Sequence, residues 1–451
     1  MPLTADTLWR DATVLDPDGL RPGVDIFARD GVITEVVPGG GVPFDGPNVF
    51  HCHGRLVIPA FTNAHHHFYS AFLRGLPPLA NPPRNQRERL ESLVWPYERR
   101  LTQDDVRAAV RLGLLEATLA GTTTIIDHHV SANCVAGVLD VIAEEVESSR
   151  LRGVLCYEIT NRDGDTVAQA GLRETERFLA SRRVRGRRIA GMVGLHAMST
   201  VDNQTLERAV ALAQQFDTGL HLHLGEAAFD TELSVSRYGE RPVARLARHQ
   251  ALTGNCLVAH AIDVSAEERE LLAAQNVMVV HNPRSNASNG LGPLNLGACW
   301  RAGITVGLGG DGFTQDMRAE LPLATMLQRQ GQQTPRALPP GEAIDLGMRG
   351  NAGIVRRLTG WEAGRIASGC VADLVVLGGE PTIPLTIDNA AWHVSAGLPG
   401  FHVRDVFSGG RAVLRDGDPV LLDAEEIRRE ARATIEASWL GVRRTYEANA
   451  G

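Results

Sequence analysis

The most constraining feature of this 451-residue chain is a repeated alternation of short apolar segments with longer amphipathic ones. Eight apolar segments can be counted between residues 57 and 311. They comprise residues 57–64, 122–127, 153–159, 189–195, 218–222, 256–259, 277–280 and 304–309. Repeated strand–helix units predict a parallel sheet, and eight units are the number that closes a (β/α)₈ barrel. The predicted fold class is therefore α/β, with such a TIM barrel at its centre.

Both ends of the chain have a different pattern. Residues 7–37 and 372–414 alternate in short runs separated by Asp-Gly, Gly-Gly and Pro-Gly turns. Such runs predict antiparallel strands. The two distant ends of the chain are therefore expected to share one small β domain.

Composition narrows the classes of function. The formal net charge of -8 supplies no basic field for a phosphate backbone, so nucleic acid is not an expected partner. The six cysteines include no C-x-x-C pair. No stretch approaches the roughly 18 to 20 apolar residues of a membrane span, and no apolar leader is visible. We expect a cytoplasmic protein with free thiols and no membrane partner.

The sequence contains no lysine, so all 45 basic residues are arginine. This excludes Schiff-base chemistry and a phosphate-binding loop lysine. It also excludes a two-metal centre bridged by a carboxylated lysine.

Histidines are concentrated at the ends of the predicted strands. His65 and His67 end the first apolar segment, and the two-residue period of a strand turns them to the same side. Ten of the 15 histidines lie at such ends, the face on which barrel enzymes place their active sites. They are His65, His66, His67, His128, His129, His196, His221, His223, His260 and His281, and Asp311 closes the eighth segment. A further pair, His51 and His53, precedes the first predicted barrel strand and is not expected to be functional.

Imidazoles and a carboxylate on one face favour a metal site. Three imidazoles with one carboxylate suit Zn²⁺, and nearly as well Fe²⁺ or Mn²⁺, and leave a position for water. Such an ion lowers the pKa of its water from about 16 toward about 7. Glu226 follows the candidate ligand His223 closely and is a candidate general acid. His66, His221 and His281 have an alternative interpretation as core histidines satisfied by hydrogen bonds.

These residues resemble the amidohydrolase superfamily, and within it the aminohydrolase branch of cytosine, guanine and 8-oxoguanine deaminases and triazine hydrolases. The similarity to the SsnA-type aminohydrolases of this branch rests on three motifs. They are His65-His66-His67-Phe68-Tyr69-Ser70 followed by Leu73-Arg74-Gly75, Ile126-Asp127-His128-His129, and Cys156-Tyr157-Glu158. The resemblance implies a metal-dependent hydrolase barrel of residues 57–365. It also implies a β-sandwich domain of residues 1–56 and 366–451, which includes a C-terminal helix.

By motif position, the resemblance implies one divalent metal per chain, with Zn²⁺ preferred and Fe²⁺ or Mn²⁺ as alternatives. Its implied ligands are His65, His67, His223 and Asp311. Glu226 is expected to shuttle protons, Asp311 to accept the proton of the water, and His260 to polarise that water or stabilise the tetrahedral intermediate. His196 matches a substrate-contacting position. The family further implies a homo-oligomer that acts on a small molecule.

One departure from the branch is Gly310, where many members have threonine or serine before the aspartate. Substrate specificity is expected from the loop 70–100 and from polar strand ends. The expected contacts are Tyr69, Arg74, Trp95, Glu158, Asn161, His196, Arg284 and Asn289. Arg74 or Arg284 is expected to pair with an oxo or carboxylate group, because a planar guanidinium suits a bidentate acceptor.

The expected reaction is hydrolytic deamination of a small nitrogen heterocycle, such as an aminopurine, a pterin or an aminopyrimidine. An alternative is hydrolysis of another C–N, amide or C–Cl bond by the same site, because Glu226 would serve any poor leaving group. A third possibility, from a different class, is a non-catalytic barrel retained for binding. The filled ligand positions argue against that third possibility.

Overall fold

The computed structural model describes residues 6–40, 44, 46–74, 82–181 and 188–449. Its strands are β1 (Thr7–Asp16), β2 (Gly19–Arg29), β3 (Val32–Pro38), β4 (Asn48–His51), β5 (Leu56–Pro59), β6 (Phe61–His66), β7 (Thr122–His129), β8 (Arg152–Ile159), β9 (Ile189–Gly191), β10 (Val193–Ala197), β11 (Leu220–Leu224), β12 (Leu257–His260), β13 (Met278–His281), β14 (Val306–Leu308), β15 (Leu374–Gly379), β16 (Phe401–Ser408), β17 (Arg411–Arg415) and β18 (Asp418–Pro419).

The helices follow the barrel strands and cover them. They are α1 (Gln86–Arg89), α2 (Trp95–Glu98), α3 (Gln103–Ala120), α4 (Val138–Ser148), α5 (Asp165–Ser181), α6 (Asn203–Phe216), α7 (Ala228–Tyr238), α8 (Pro242–Arg248), α9 (Ala266–Ala274), α10 (Pro283–Ser288), α11 (Leu296–Arg301), α12 (Met317–Gln332), α13 (Pro340–Ile344), α14 (Asn351–Thr359), α15 (Ala390–Ser395) and α16 (Ala424–Asn449). Shorter helical turns span Phe68–Leu73, Leu90–Val94 and Asp345–Gly350. Among the described helices, none is both long enough and apolar enough to cross a bilayer.

The central sheet is a barrel of parallel strands. Strands β6, β7, β8, β10, β11, β12, β13 and β14 lie side by side in that order, and β9 pairs with β8 just before β10 begins. The ring closes between the last and first strands, where the Asp311 N–H donates to the His65 carbonyl at 2.7 Å. His66 and Asp311 form a parallel bridge at the same place. The predicted barrel is confirmed.

The second sheet is built from both ends of the chain, as predicted. Its strand order is β18-β17-β16-β15-β5-β1-β2-β3, and β4 pairs with β1. Trp9, Phe50 and Phe407 pack together in its core, with centroid separations of 5.1 Å from Trp9 to Phe407 and 4.6 Å from Phe50 to Phe407. The division of the chain into domains at residues 56/57 and 365/366 stays a prediction.

The apolar segment 57–64 belongs to two strands, although the sequence suggested a single barrel strand. Strand β5 pairs with β1 and β15 in the terminal sheet, whereas β6 pairs with β7 in the barrel. The partner changes at Ala60, whose N–H donates to Asp373 O, and at Phe61, whose N–H donates to Gly121 O. Both strands are buried along their whole length, so hydrophobicity could not mark the break.

Two buried asparagines secure the closure of the barrel. The Asn351 side chain accepts from Leu308 N at 2.6 Å and donates to Thr62 O at 2.6 Å, which joins β14 to β6. The Asn63 side chain accepts from Gly310 N at 2.8 Å and donates to Thr314 O at 3.1 Å. Because such groups are costly to leave unpaired inside a protein, these bonds fix the turn that carries Asp311.

The same turn explains the glycine at position 310. A Cβ built on Gly310 would lie 2.0 Å from the Thr314 carbonyl oxygen and 3.1 Å from Asn63 Nδ2. A threonine or serine therefore does not fit this turn unless the backbone of residues 310–314 moves. Glycine at position 310, where many members of the branch have threonine or serine, is therefore required by the tight turn beside Asp311.

We predict that Gly310→Ala lowers the free energy of unfolding by about 1–3 kcal/mol, the usual cost of overpacking, and reduces the metal bound per chain. Gly341→Ala is the control, because a Cβ at Gly341 meets nothing within 4 Å. Denaturant unfolding and elemental analysis of both variants would provide the measurements. Equal stability and metal content in the two variants would contradict the prediction.

Candidate metal centre and active site

The ten histidines predicted at strand ends lie where the sequence placed them. His65 and His66 end β6, His128 and His129 end β7, and the remaining residues lie on or just beyond strand ends of the same face. All ten are buried or nearly so. Parallel strands end on one side of the barrel, so their side chains converge there.

The four predicted metal ligands meet at the centre of this face. His67 Nε2 lies 3.1 Å from His223 Nε2 and 3.1 Å from Asp311 Oδ1. His65 Nε2 lies 3.8 Å from the same Asp311 oxygen. The donor atoms of His65, His67 and Asp311 therefore lie within 4.8 Å of one another, and His223 adjoins this group through His67.

The three imidazoles are oriented by their other ring nitrogens. Nδ1 of His65 lies 2.9 Å from His221 Nε2, Nδ1 of His67 lies 2.5 Å from His128 O, and Nδ1 of His223 lies 3.1 Å from His196 O. A second hydrogen bond of this kind fixes both the ring orientation and the tautomer of a metal-binding histidine. It leaves each Nε2 atom facing the common centre.

These residues fit a divalent metal. His65 Nε2 is buried and has no hydrogen-bond partner among the described residues, which is costly unless an ion or water binds it. Burial, with help from the neighbouring imidazoles, lowers the pKa of His65 and of His223 well below the usual range. Both are therefore neutral, the form that binds metal.

Asp311 and His67 behave as an ion pair. Burial acts to raise the pKa of Asp311, but the hydrogen bond and charge of His67, with His260 and Ser285, together outweigh burial and hold that pKa well below its usual range. Burial likewise acts to lower the pKa of His67, and the Asp311 carboxylate overcomes it and raises that pKa to about 9. A cation bound between the two groups would replace the shared proton.

A competing set of possible ligands comprises His67, His128, Glu158 and His223. His128 Nε2 lies 3.1 Å from the His221 carbonyl oxygen, and His128 Nδ1 lies 3.1 Å from Glu158 Oε2. His128 Nε2 is therefore engaged by a backbone carbonyl, and His128 Nδ1 lies at ion-pair distance from Glu158. The set containing Asp311 is the better fit, because its Nε2 atoms are directed at one another and at a carboxylate.

His260 stands at the centre as well, and its donor atom lies within 4.8 Å of those of His65 and His223. Its Nε2 lies 3.9 Å from Asp311 Oδ2, and its Nδ1 lies 2.8 Å from Asn286 Oδ1. His260 and Asp311 have φ values of 72° and 47°, in the left-handed region that such residues rarely adopt. Strained backbone of this kind is enriched at functional sites. The strain marks His260 and Asp311 as residues held in place by the surrounding structure.

Glu226 lies in the same pocket, on the turn that follows β11. Gly225 adopts a φ of 51° just before it, and the amide of Gln86 donates to Glu226 Oε1 at 2.6 Å. Burial raises the pKa of Glu226, with Asp311 adding to that effect and His260 opposing it. A carboxyl group with a raised pKa is better suited to act as a general acid than an ordinary glutamate.

The pocket has a volume of about 440 Å³ and contains the metal centre at its base. The expected substrate contacts Tyr69, Arg74, Trp95, Glu158, His196 and Asn289 all line it. Arg284 and Asn161 are not among the lining residues. Of the expected specificity loop, residues 75–81, including Gly75 of the second half of the first motif, lie outside the described residues.

The two arginines expected to meet an acidic substrate group are both engaged elsewhere. Arg284 Nε donates to Glu320 Oε1 at 2.6 Å, away from the pocket. Arg74 Nη2 donates to Glu116 Oε2 at 2.8 Å. Arg89 lines the pocket, and the described residues include no hydrogen-bond or ion-pair partner for its side chain. Arg89 was not predicted from the sequence as a pocket residue, because it lies on a short helix and not at the end of a strand.

A buried charge network forms the wall behind the pocket and was also missed. Arg162 forms an ion pair with Glu98 and lies 3.3 Å from Glu158 Oε1. Tyr69 donates to Glu98 Oε1 at 2.8 Å. Burial raises the pKa of Glu98 to about 7, against the opposing effect of Arg162. A signal existed in the sequence, because Arg162 follows Glu158 by four residues, but the pairing with the distant Glu98 needs the fold.

Of the three histidines with a core interpretation, His66 and His221 form hydrogen bonds, whereas His281 is buried without one among the described residues. His66 Nδ1 bonds to the Asp311 carbonyl at 2.5 Å, and burial lowers its pKa to about 3. His281 has no hydrogen-bond partner among the described residues. His221 contacts His65 and so supports a proposed ligand. His51 and His53 stack on each other near the terminal sheet.

Comparisons with known proteins agree with this architecture. The model of the amidohydrolase family matches residues 56–413. A 5-methylthioadenosine/S-adenosylhomocysteine deaminase of Halobacterium salinarum is 30% identical over 427 residues, which cover 93% of this chain and 94% of that protein.

Two solved structures share the fold. An adenosine deaminase from Xanthomonas campestris with bound zinc superimposes with a TM-score of 0.84 at 23% identity and covers 97% of this chain and 99% of its own. An atrazine chlorohydrolase from Arthrobacter aurescens TC1 complexed with zinc gives a TM-score of 0.82 at 21% identity, with 95% of this chain and 100% of its own covered.

The matches confirm the predicted resemblance and the predicted enzyme class, a hydrolase acting on carbon–nitrogen bonds other than peptide bonds. Zinc in the structural neighbours agrees with a histidine-rich metal site in this chain. The barrel, its metal-binding face and the match over most of its length lead to one conclusion: the chain belongs to the amidohydrolase family.

Proposed function

We propose that this amidohydrolase deaminates a nitrogen heterocycle of the aminopurine or nucleoside class by hydrolysis. The observation that carries the proposal is the placement of Glu226, a half-buried carboxyl group, in the same pocket as His67 and His223, whose Nε2 atoms lie 3.1 Å apart. Relatives named as deaminases of methylthioadenosine and S-adenosylhomocysteine support this choice of substrate class.

We propose one divalent metal per chain, held by His65, His67, His223 and Asp311. Zn²⁺ is preferred because the structural neighbours contain it, and Fe²⁺ or Mn²⁺ suits the same donors. When bound, the ion supplies Lewis-acid activation of a water molecule at neutral pH. A homo-oligomer in the cytoplasm is proposed on the resemblance to the branch alone.

The protein side chains divide the proton transfers among them. Asp311, whose Oδ2 accepts from Ser285 Oγ, is placed to take the proton of the attacking water. Glu226 would give its proton to the ring nitrogen, and Asp311 would pass the proton taken from water to the amino group, which leaves as ammonia. The hydroxyl proton of the tetrahedral intermediate would then return to Glu226 as the product carbonyl forms. His260, held at Nδ1 by Asn286, directs Nε2 toward the position where negative charge develops.

The substrate is held by the walls of the pocket. Tyr69, Glu158 and His196 supply polar groups, and His196 Nε2 lies 4.0 Å from Glu158 Oε1. That Glu158 oxygen has no hydrogen bond among the described residues, so it is able to accept one from a ligand. Arg89, in place of Arg284, would pair with an oxo or carboxylate group of the substrate, because Arg89 lines the pocket and forms no ion pair among the described residues.

The alternative reactions have weaker support. Expulsion of chloride or of another group would use the same residues, but the chlorohydrolase likeness is one of fold at 21% identity. A non-catalytic barrel is disfavoured because a binding role alone needs neither a set of metal-ligating side chains nor an acid in the same pocket. Chloride or carboxylate formation without ammonia would favour the first alternative.

We predict about one Zn²⁺, Fe²⁺ or Mn²⁺ per chain in the purified protein, and loss of most of it in Asp311→Asn, because the substitution removes a charged ligand. Elemental analysis by mass spectrometry provides the measurement. Asp316→Asn is a matched control outside the proposed ligand set. Absence of metal after reconstitution of the wild-type protein would overturn the proposal.

We predict ammonia release from members of a panel of aminopurines, adenine nucleosides, pterins and aminopyrimidines. For the best substrate, Glu226→Gln is expected to lower kcat/KM by about 10²–10⁴, the contribution of a positioned general acid, while the metal content stays unchanged. Glu232→Gln, an exposed change on the following helix, is the control. Absence of ammonia release from every member of the panel, with the metal in place, would count against deamination.

The pH dependence follows from the raised pKa of Glu226. A general acid must be protonated, so kcat/KM is expected to fall as pH rises through a pKa above the ordinary value of a glutamate. The pH–rate profile of Glu226→Gln is expected to lack this alkaline limb. Persistence of the limb at the same pH in that variant would assign it to another group.

A further inference from the structure

A second cavity lies at the opposite end of the barrel from the active site. Its volume is about 890 Å³, and residues from both sheets line it. The lining residues include Arg150, Arg152, Arg188 and Arg411. Arg152 begins β8 and Glu158 lies near the end of the same strand, so the two sites are separated by about 20 Å of extended chain.

The guanidinium groups of this cavity are crowded together. A point at Cβ distance from Gly409 lies 2.5 Å from Arg188 Nη2 and 3.7 Å from Arg152 Nη2. Burial lowers the pKa of Arg188, and repulsion from Arg152, Arg150 and Arg411 lowers it further, against the opposing effect of the Asp373 carboxylate. Like charges brought together in a partly buried place destabilise the fold unless an anion balances them.

Protein carboxylates balance only part of this charge. Arg152 Nε donates to Asp373 Oδ2 at 3.1 Å, and the other oxygen of Asp373 accepts from Gly409 N at 2.6 Å. Arg188 donates to the Arg150 carbonyl at 2.6 Å and to Ser408 Oγ at 2.9 Å, both uncharged groups.

The other two arginines have no such partner. Within the described part of the chain, the side chains of Arg150 and Arg411 form no hydrogen bond or ion pair. Asp6 and Asp30 also line the cavity, but they are exposed and pair with none of the four arginines there. Among the described residues, four arginines, of which Arg411 is exposed, therefore stand against three carboxylates, those of Asp6, Asp30 and Asp373, which leaves one positive charge in excess.

We propose that this cavity is a binding site for a phosphate group, bridging the barrel arginines Arg152 and Arg188 to Arg411 of the terminal sheet. Guanidinium groups present paired N–H donors that match the oxygens of phosphate. The volume accommodates a free phosphate ion or the phosphate of a nucleotide. Because its ligand would join the two sheets, the site acts on stability and not on the chemistry at the metal.

The test is a titration of the metal-loaded protein with sodium phosphate, against sodium chloride at matched ionic strength. The readouts are the melting temperature and the dissociation constant from calorimetry. We expect a saturable rise in melting temperature with phosphate alone. Arg411→Gln and Arg188→Gln are each expected to weaken phosphate binding by about tenfold or more, as for loss of a charge-assisted hydrogen bond.

Arg208→Gln is the matched control, because it removes one exposed positive charge from α6 and is expected to leave phosphate binding unchanged. Arg150→Asn provides a second test at a position with a φ of 62°, a conformation that asparagine tolerates. It keeps the proposal testable if Arg188→Gln fails to fold, since Arg188 also holds the backbone of its neighbours.

A comparison of two ligands distinguishes a nucleotide from free phosphate as the occupant of the cavity. Stronger binding of adenosine 5′-monophosphate than of inorganic phosphate, with the difference lost in Arg411→Gln, would assign a nucleotide ligand to the cavity. Equal binding of the two would assign free phosphate. A phosphate effect that survives in both Arg411→Gln and Arg188→Gln, or one that chloride reproduces, would overturn the proposal.

Discussion

The hydrogen bond from Asp311 N–H to the His65 carbonyl, at 2.7 Å, is the constraint on which the rest of the molecule depends. It closes the barrel between its last and first strands, and it joins the backbones of two proposed metal ligands. The side chains of His65 and Asp311 are therefore positioned by the same bond that completes the fold. The hydrogen bond from Gly310 N to Asn63 and the tight turn at Gly310 fix the backbone that leads to this bond. Stability and metal binding share one small set of contacts.

Much of the fold and of the site could be predicted because strand ends are marked in the sequence. Eight apolar segments specified the barrel, and His65, His67, His223, His260 and Asp311 stood at their carboxyl ends. The structure brings these five residues together, since parallel strands deliver their ends to one face. Their roles at the metal and in catalysis remain proposals. Glu226 was placed in the pocket because only a short turn separates it from His223.

The rest could not be predicted because it depends on partners distant in the sequence. Arg284 resembled a substrate contact, but Glu320 engages it. Arg89 and Glu98 reach the pocket on short helices that no strand pattern locates. The break at Ala60 is invisible because both strands beside it are buried. Like charges around Gly409 come together only when the two sheets meet.

The passage of the chain from β5 to β6 has a mechanical consequence. Only Ala60 separates a strand of the terminal sheet from the strand that ends in His65 and His66. A rotation of one sheet against the other would therefore pull directly on a metal ligand. Domain rotation is a poor way for this enzyme to admit substrate. The short helices α1 and α2 supply Gln86, Arg89, Trp95 and Glu98 to the pocket wall without belonging to either sheet, so this part of the wall is independent of the strand that carries His65.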